Sequence, residues 1–214
     1  MYKFSSGAWH DITIGPTLPA VRTRFNNLDF SVAFMLTVEN YANQTLTVSQ
    51  SNIKSGVIVD DAKDIGPGMA EGLSGRKSSL TATGCHTVVS WKIGSTGKML
   101  VVMYDLPYQY SVMTFLSWVM SDETLWYSNM IAVGIFPQGD ITNHYDMMYH
   151  GAQEGFKRKS ATDGRPLRYN KDPDYYVVAD IPGASKSFAY VRKHRIPYFS
   201  MSTLTLLGEP LSQA

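Results

Sequence analysis

Nine short runs of β-favouring residues punctuate this chain of 214 residues, and they constrain its fold more than any other feature. Residues 31–39 are dense in β-branched and apolar side chains. Residues 45–53 alternate apolar and polar side chains, the period-two pattern of a strand with one buried face. The stretch from Asn40 to Asn43 reads as a turn joining these two runs into a hairpin. Residues 56–59 follow, and then 87–93 and 99–106, joined by Gly94-Ser95-Thr96-Gly97, a second hairpin signal. Residues 130–136, 175–181, 187–192 and 198–207 complete the set. Short strands at this spacing predict a sandwich or a barrel.

Helix signals are few. Residues 17–26 predict two or three turns, with Pro19 near the start, where a missing N–H costs nothing. Residues 142–149 predict two turns, with Asp140 or Thr142 as the cap and Gly151 just past the end. Residues 151–174, polar and broken by glycine and proline, read as one long loop. With no internal repeat and no low-complexity linker, the simplest account is a single mainly-β domain over 1–214. It would be a compact sandwich flanked by two short α-helices.

Composition narrows the function. Charged residues are 17% of the chain, below the usual quarter, aromatics are 12%, and the net charge is +1. That balance excludes bulk electrostatic attraction to nucleic acid. A lone cysteine, Cys85, excludes an internal disulfide. No signal peptide is visible at the N-terminus, as also holds for a mature secreted chain. No run of 18 apolar residues offers an ordinary transmembrane helix. Any membrane contact must therefore come from an interfacial or refolding segment.

Catalytic templates are not matched. Gly66-Pro67-Gly68 with Gly72 lacks the spacing of a dinucleotide fingerprint. Adjacent strand positions point Cys85 and His86 to opposite faces, so they make no thiolate–imidazole pair. The five histidines show no metal-ligand spacing, and no metal or other cofactor is expected. A hydrolase reading lacks a nucleophile, base and orienting group that can be named. Three basic groups stand out: Arg76-Lys77, Lys157-Arg158-Lys159 and Arg192-Lys193-His194-Arg195. They are either solvated loops or a surface facing phosphate.

The chemistry-bearing feature is aromatic. Leu125-Trp126-Tyr127-Ser128-Asn129-Met130 and His144-Tyr145-Asp146-Met147-Met148-Tyr149-His150 gather three tyrosines and a tryptophan. On a helix, Tyr145 and Tyr149 share a face. Such rings attract a quaternary ammonium, the head of choline lipids, through cation–π contact. Alternatively, they are half-buried tyrosines with only the hydroxyl wet.

Six short motifs then fall in one order. Lys54-Ser55-Gly56, Leu73-Ser74-Gly75-Arg76-Lys77, Ala82-Thr83-Gly84, Leu106-Pro107-Tyr108-Gln109-Tyr110, Trp126-Tyr127-Ser128-Asn129 and Tyr145-Asp146-Met147-Met148-Tyr149-His150 run from the first half into the second. Over residues 31–150 this series resembles the actinoporins, pore-forming cytolysins first known from sea anemones, and their actinoporin-like relatives. The resemblance implies a β-sandwich flanked by two helices and binding of phosphocholine head groups such as sphingomyelin. It also implies secretion, self-association on the target membrane and no enzymatic activity. Carried over, the head-group site comprises Lys54, Ser55, His86, Asp105, Pro107, Tyr127, Tyr145, Tyr149 and His150.

Several of these depart from the family pattern. Lys54 stands for an arginine and lacks its bidentate fork, His86 for a valine, Asp105 for a serine and His150 for a tyrosine. Asp105 there would either attract choline or repel phosphate. Tyr108, Tyr110, Trp118 and Trp126 are the expected membrane-interface side chains.

Two larger departures concern the pore. The family inserts an N-terminal amphipathic helix, whereas segment 1–30 here carries Pro16 and Pro19, which break a long helix. Residues 111–125 form an insertion whose charge-free stretch 112–120 is either a second membrane anchor or an element packed on the sandwich. Two functions remain in competition: a pore-forming cytolysin, and a non-lytic lipid- or glycan-binding module on the same scaffold.

Overall fold

The computed structural model describes residues 12–81, 83–107, 128–184 and 186–196. Among these residues, two sheets form the body of the protein. The first has seven strands: β1 (Thr13–Ile14), β2 (Ala33–Asn40), β4 (Val57–Asp60), β5 (Met69–Arg76), β10 (Leu167–Tyr169), β11 (Tyr175–Asp180) and β12 (Lys186–Arg195). The second has five: β3 (Leu46–Ser55), β6 (Cys85–Ile93), β7 (Lys98–Leu106), β8 (Met130–Pro137) and β9 (Phe156–Ser160), in the order β3-β6-β7-β8-β9. Helix α1 (Leu18–Asn27) covers the outer face of the first sheet and α2 (His144–His150) that of the second. The mainly-β sandwich with two short helices expected from the sequence is thus the fold.

Three apolar layers hold it. The central one lies between the sheets and takes one face of most strands, including Phe34, Leu36 and Val38 from β2 and Leu100, Val102, Tyr104 and Leu106 from β7. The opposite face of β2, through Ala33 and Met35, meets Leu18, Val21 and Phe25 of α1. The opposite face of β7, through Met99, Val101 and Met103, meets Ile141, Tyr145 and Met148 at α2. Burial on both faces explains why these strands read as near-continuous apolar runs and not as alternating ones.

The tight turn at Gly94 to Gly97 joins β6 and β7 as expected, in antiparallel register from Cys85↔Leu106 to Lys92↔Met99. The turn at 40–43 does not make a hairpin. Strand β2 pairs with β5 and β12 in one sheet, and β3 pairs with β6 in the other. Asn40, fully buried, fixes this corner. Its amide donates to the carbonyls of Gln44 (2.8 Å), Ile65 (3.2 Å) and Gly66 (3.2 Å). Its side-chain oxygen accepts from Ala42 N–H (3.3 Å). Alternation tells which face of a strand is buried, not which strand lies beside it.

The long loop expected over 151–174 is corrected too. It carries β9 and β10, each an edge strand of its sheet. Edge strands bear charge to discourage further pairing, and Lys157, Arg158 and Lys159 on β9 hid it in the composition. Strand β5 went unrecognised because Gly72 and Gly75 resemble a loop. A Cβ at Gly72 would lie 2.7 Å from Leu18 Cδ1 and 3.3 Å from Met35 Cε, so the glycine is what lets α1 seat on the sheet. The strand expected at 198–207 and the insertion 111–125 lie outside the described residues. Within the N-terminal segment, β1 pairs in parallel with β5 and Thr17 Oγ1 donates to Glu71 (2.5 Å).

Phe25 is fully buried and carries much of the α1 contact. Phe25→Ala is expected to cost about 3–5 kcal/mol, read from the shift in a urea unfolding midpoint. Ile14→Ala, at a side chain 54% exposed, is expected to move that midpoint by under about 0.5 kcal/mol.

Candidate functional site

One end of the five-stranded sheet, together with α2, gathers most of the residues picked from sequence. Register puts Ser55 of β3 beside His86 of β6, and His86 opposite Asp105 of β7. Lys54 precedes Ser55, and Pro107 follows the end of β7. Gly56 turns the chain between β3 and β4 at φ 96°, and a Cβ there would lie 2.7 Å from both the Arg76 carbonyl and Cys85 Sγ. Ser55 Oγ donates to the Gly84 carbonyl (3.3 Å), tying the Lys-Ser-Gly turn to the start of β6.

Helix α2 brings the aromatic residues. Gln50 Oε1 accepts from Ile141 N–H (3.0 Å) and Asn52 Nδ2 donates to the Thr142 carbonyl (2.9 Å), so β3 fixes the approach to the helix. Asp140 holds the preceding turn through Thr142 N–H (3.1 Å), and Asn143 occupies the cap position without a side-chain bond. Gly151 closes the far end through Met147 O (2.8 Å). Arg158 of β9 donates to the last carbonyls, Met148 O (3.0 Å) and Tyr149 O. A cation there also suits the negative end of the helix dipole.

Tyr145 and Tyr149 stack with ring centroids 5.7 Å apart and planes 13° from parallel. Tyr145 is buried against the sheet and meets the His86 ring edge-on at 6.2 Å. Tyr149 is half-buried, and the exposed His150 packs edge-on against it at 4.6 Å. Lys54 Nζ lies 6.0 Å from the Tyr145 centroid and pairs with Asp146 Oδ2 (3.0 Å).

Asp105, 3% exposed, bonds His86 Nδ1 and the Tyr149 hydroxyl. The carboxylate faces inward and is paired. Burial, then the Asp105 charge, pushes both tyrosine hydroxyls upward, so they stay neutral donors at physiological pH. The arrangement offers two neutral aromatic faces, an imidazole held by a buried carboxylate and a lysine at the rim.

Of the residues expected in the site, Lys54, Ser55, His86, Asp105, Tyr145, Tyr149 and His150 are brought together, and Pro107 lies at the adjacent end of β7. Tyr127, with Tyr108, Tyr110, Trp118 and Trp126, lies outside the described residues. Sequence reasoning missed Asp146, Arg158, Gln50 and Asn52. Asp146 sits within a quoted motif and Arg158 within a basic group, but neither was assigned a role, because each acts through a neighbour set by the fold.

No family model matches the chain. Three curated relatives do. Tereporin-Ca1 of Terebra anilis is 26% identical over 76% of this chain and 77% of its own length. Echotoxin-2 of Monoplex parthenopeus is 26% identical over 64% of this chain and 46% of its own length. Conoporin-Cn1 of Conus consors is 27% identical over 77% of this chain and 61% of its own length. The chain is thus similar to actinoporin-like toxins of snails.

Among solved structures, the lipid binding protein Nakanori superposes with a TM-score of 0.57 over 84% of this chain and 80% of its own, at 13% identity, which speaks to the fold. The names of the relatives are those of toxins and porins, and Nakanori is described as a lipid binding protein.

Several of the motif residues prove structural. Asn129 is buried and donates to the carbonyls of Pro182 (2.7 Å) and Ala184 (2.8 Å). Ser74 donates to Asp60 (2.6 Å), which also binds Arg24 of α1. The basic groups are largely committed as well. Lys159 is buried against Asp180 (2.5 Å), Arg192 pairs with Glu39 (2.8 Å), and Arg76 lies 4.0 Å over the Phe30 ring. His194 is stacked between Tyr41 (4.5 Å) and Tyr176 (4.4 Å), and burial pushes it down to about 4.

Lys193 is buried with no hydrogen-bond partner for Nζ among the described residues, 4.4 Å over the Tyr175 ring, and burial pushes it down to about 8. Cys85 faces the central core, opposite His86 as the strand period requires, and burial pushes its thiol up to about 12.

Cys85 is expected to react with a disulfide reagent only once denaturant opens the core, read by absorbance during titration. For Lys193, the unfolded chain binds the proton more tightly than the folded one. Its burial cost is therefore fully present below about pH 8 and fades as pH rises towards 10.5. Lys193→Met is expected to stabilise the protein at pH 7 by on the order of 1–3 kcal/mol. That advantage should shrink with rising pH in denaturation curves.

Proposed function

We propose that this protein is a secreted, membrane-binding toxin that docks on phosphocholine head groups, sphingomyelin among them, and self-associates on the bilayer. The observation that carries the reading is the stacked Tyr145–Tyr149 pair beside His86 and the Lys54-Ser55 turn, at the positions where the sequence resembles the family's head-group site. Neutral tyrosine faces attract a choline ammonium, and the nearby nitrogen donors suit its phosphate. Tyr149, half-buried, is the residue to probe, because Tyr145 also supports α2.

A second reading, a non-lytic lipid- or glycan-binding module, is favoured by α1. Ten residues rise about 15 Å, half of the roughly 30 Å hydrocarbon core. Its apolar side chains Leu18, Val21 and Phe25 are spent on the sandwich. Among the described residues, no helix is long and apolar enough to cross a membrane. The toxin and porin names of the relatives support the lytic reading instead.

Co-sedimentation with vesicles of sphingomyelin, phosphatidylcholine or phosphatidylglycerol tests the docking step. Binding should favour the two choline lipids. Tyr149→Ala should weaken it by about 1–2 kcal/mol, five- to thirtyfold, with an unchanged circular-dichroism spectrum. Equal binding by variant and wild type would remove the head-group assignment. Calcein release from the same vesicles separates the two readings: leakage supports the pore, and binding without leakage supports the module.

A further inference from the structure

The His86–Asp105 pair adds a property that a stack of tyrosines lacks. His86 Nδ1 bonds the Asp105 carboxylate at the floor of the site. A carboxylate only accepts hydrogen bonds, so the bond fixes the imidazole proton on Nδ1. In neutral imidazole the second nitrogen, Nε2, is then a bare acceptor and cannot donate to phosphate. Imidazolium donates from both nitrogens, and histidine is the side chain that takes up this proton between pH 5 and 8. His86 makes no hydrogen bond through Nε2 among the described residues, and its side chain is 21% exposed.

The groups around it support such a change of charge. Ser55 lies beside it on β3, and Asp105 of β7 supplies the compensating anion. From α2 come Tyr145 against its ring and Tyr149 on the same carboxylate, both held neutral. Lys54 and Asp146 offset each other at the rim, and Arg158 of β9 is committed to the carbonyls of α2. The rim lysine is thus already paired, and His86 is the donor whose availability changes.

Resting on the head-group reading above, we propose that His86, oriented by Asp105, is a proton-linked phosphate donor, so that this protein binds phosphodiester head groups more tightly as pH falls below neutral. The ligand chemistry is a phosphodiester bearing a cationic tail. Loss of one proton from His86 removes the donor and leaves the aromatic contacts in place.

The test is binding to phosphatidylcholine vesicles, zwitterionic at both values, at pH 5.5 and pH 8. Wild type should bind about tenfold tighter at the lower pH, the size of one charge-assisted hydrogen bond. His86→Gln keeps an amide donor that does not titrate and should bind equally at both. His150→Gln should retain the wild-type slope.

A flat wild-type profile, with Tyr149→Ala still weakening binding, overturns this proposal and leaves the head-group reading standing. A slope that survives in His86→Gln assigns the proton elsewhere and overturns it as well. Absence of wild-type binding at both pH values overturns both.

Discussion

Strand β7 is buried along both of its faces, and the candidate site depends on that. Its inward side chains, Leu100, Val102, Tyr104 and Leu106, belong to the core between the sheets. Its outward ones, Met99, Val101 and Met103, form the apolar floor that receives α2. Asp105 continues the outward series by parity, so a carboxylate arrives where the apolar floor ends. A buried charge there must be paired or it destabilises the fold. His86 on the neighbouring strand and Tyr149 on the helix supply the pairing. Docking of α2 and construction of the site are therefore one event.

The same logic governs the other helix. Leu18, Val21 and Phe25 seat α1 on the first sheet, Thr17 binds Glu71, and Arg24 joins Asp60, which in turn holds Ser74. Lys186 of β12 adds bonds to the carbonyls of Asn26 (3.1 Å) and Leu28 (2.8 Å). A step that lifts α1 from the sandwich must break all of these and expose three apolar side chains to water, unless a bilayer receives them. The candidate site at α2 shares none of these contacts.

Much of the fold was legible in short segments. Residues 87–93 and 99–106 with their glycine turn became β6 and β7 with register intact. The helix predicted at 17–26 is α1, displaced by one residue. Elsewhere local patterns misled for identifiable reasons. Gly72 made β5 look like a loop, although the glycine is there to admit Leu18. Charges on β9 belong to an edge strand, and Asn40 turns the chain between sheets where a hairpin was expected. In the candidate site, tyrosine spacing pointed to Tyr145 and Tyr149, and the motif resemblance to Lys54 and Ser55. The roles of Asp146, Arg158, Gln50 and Asn52 were not legible in sequence, since their contacts span from ten to about ninety residues.

By itself, the sequence determined eight of the twelve described strands, the helix positions, the opposite facing of Cys85 and His86, and the resemblance of its ordered motifs to the actinoporin-like proteins. These follow from the period of the backbone and the placement of turn residues, which are local properties. Only the tertiary structure decided what becomes of the charges. It turned Asp105 inward onto His86, committed Arg158 to a helix end and Lys54 to Asp146, and left Lys193 buried beneath Tyr175. The reason is physical: the energy of a charge depends on the water and partners around it, and those are fixed when the two sheets and α2 close together.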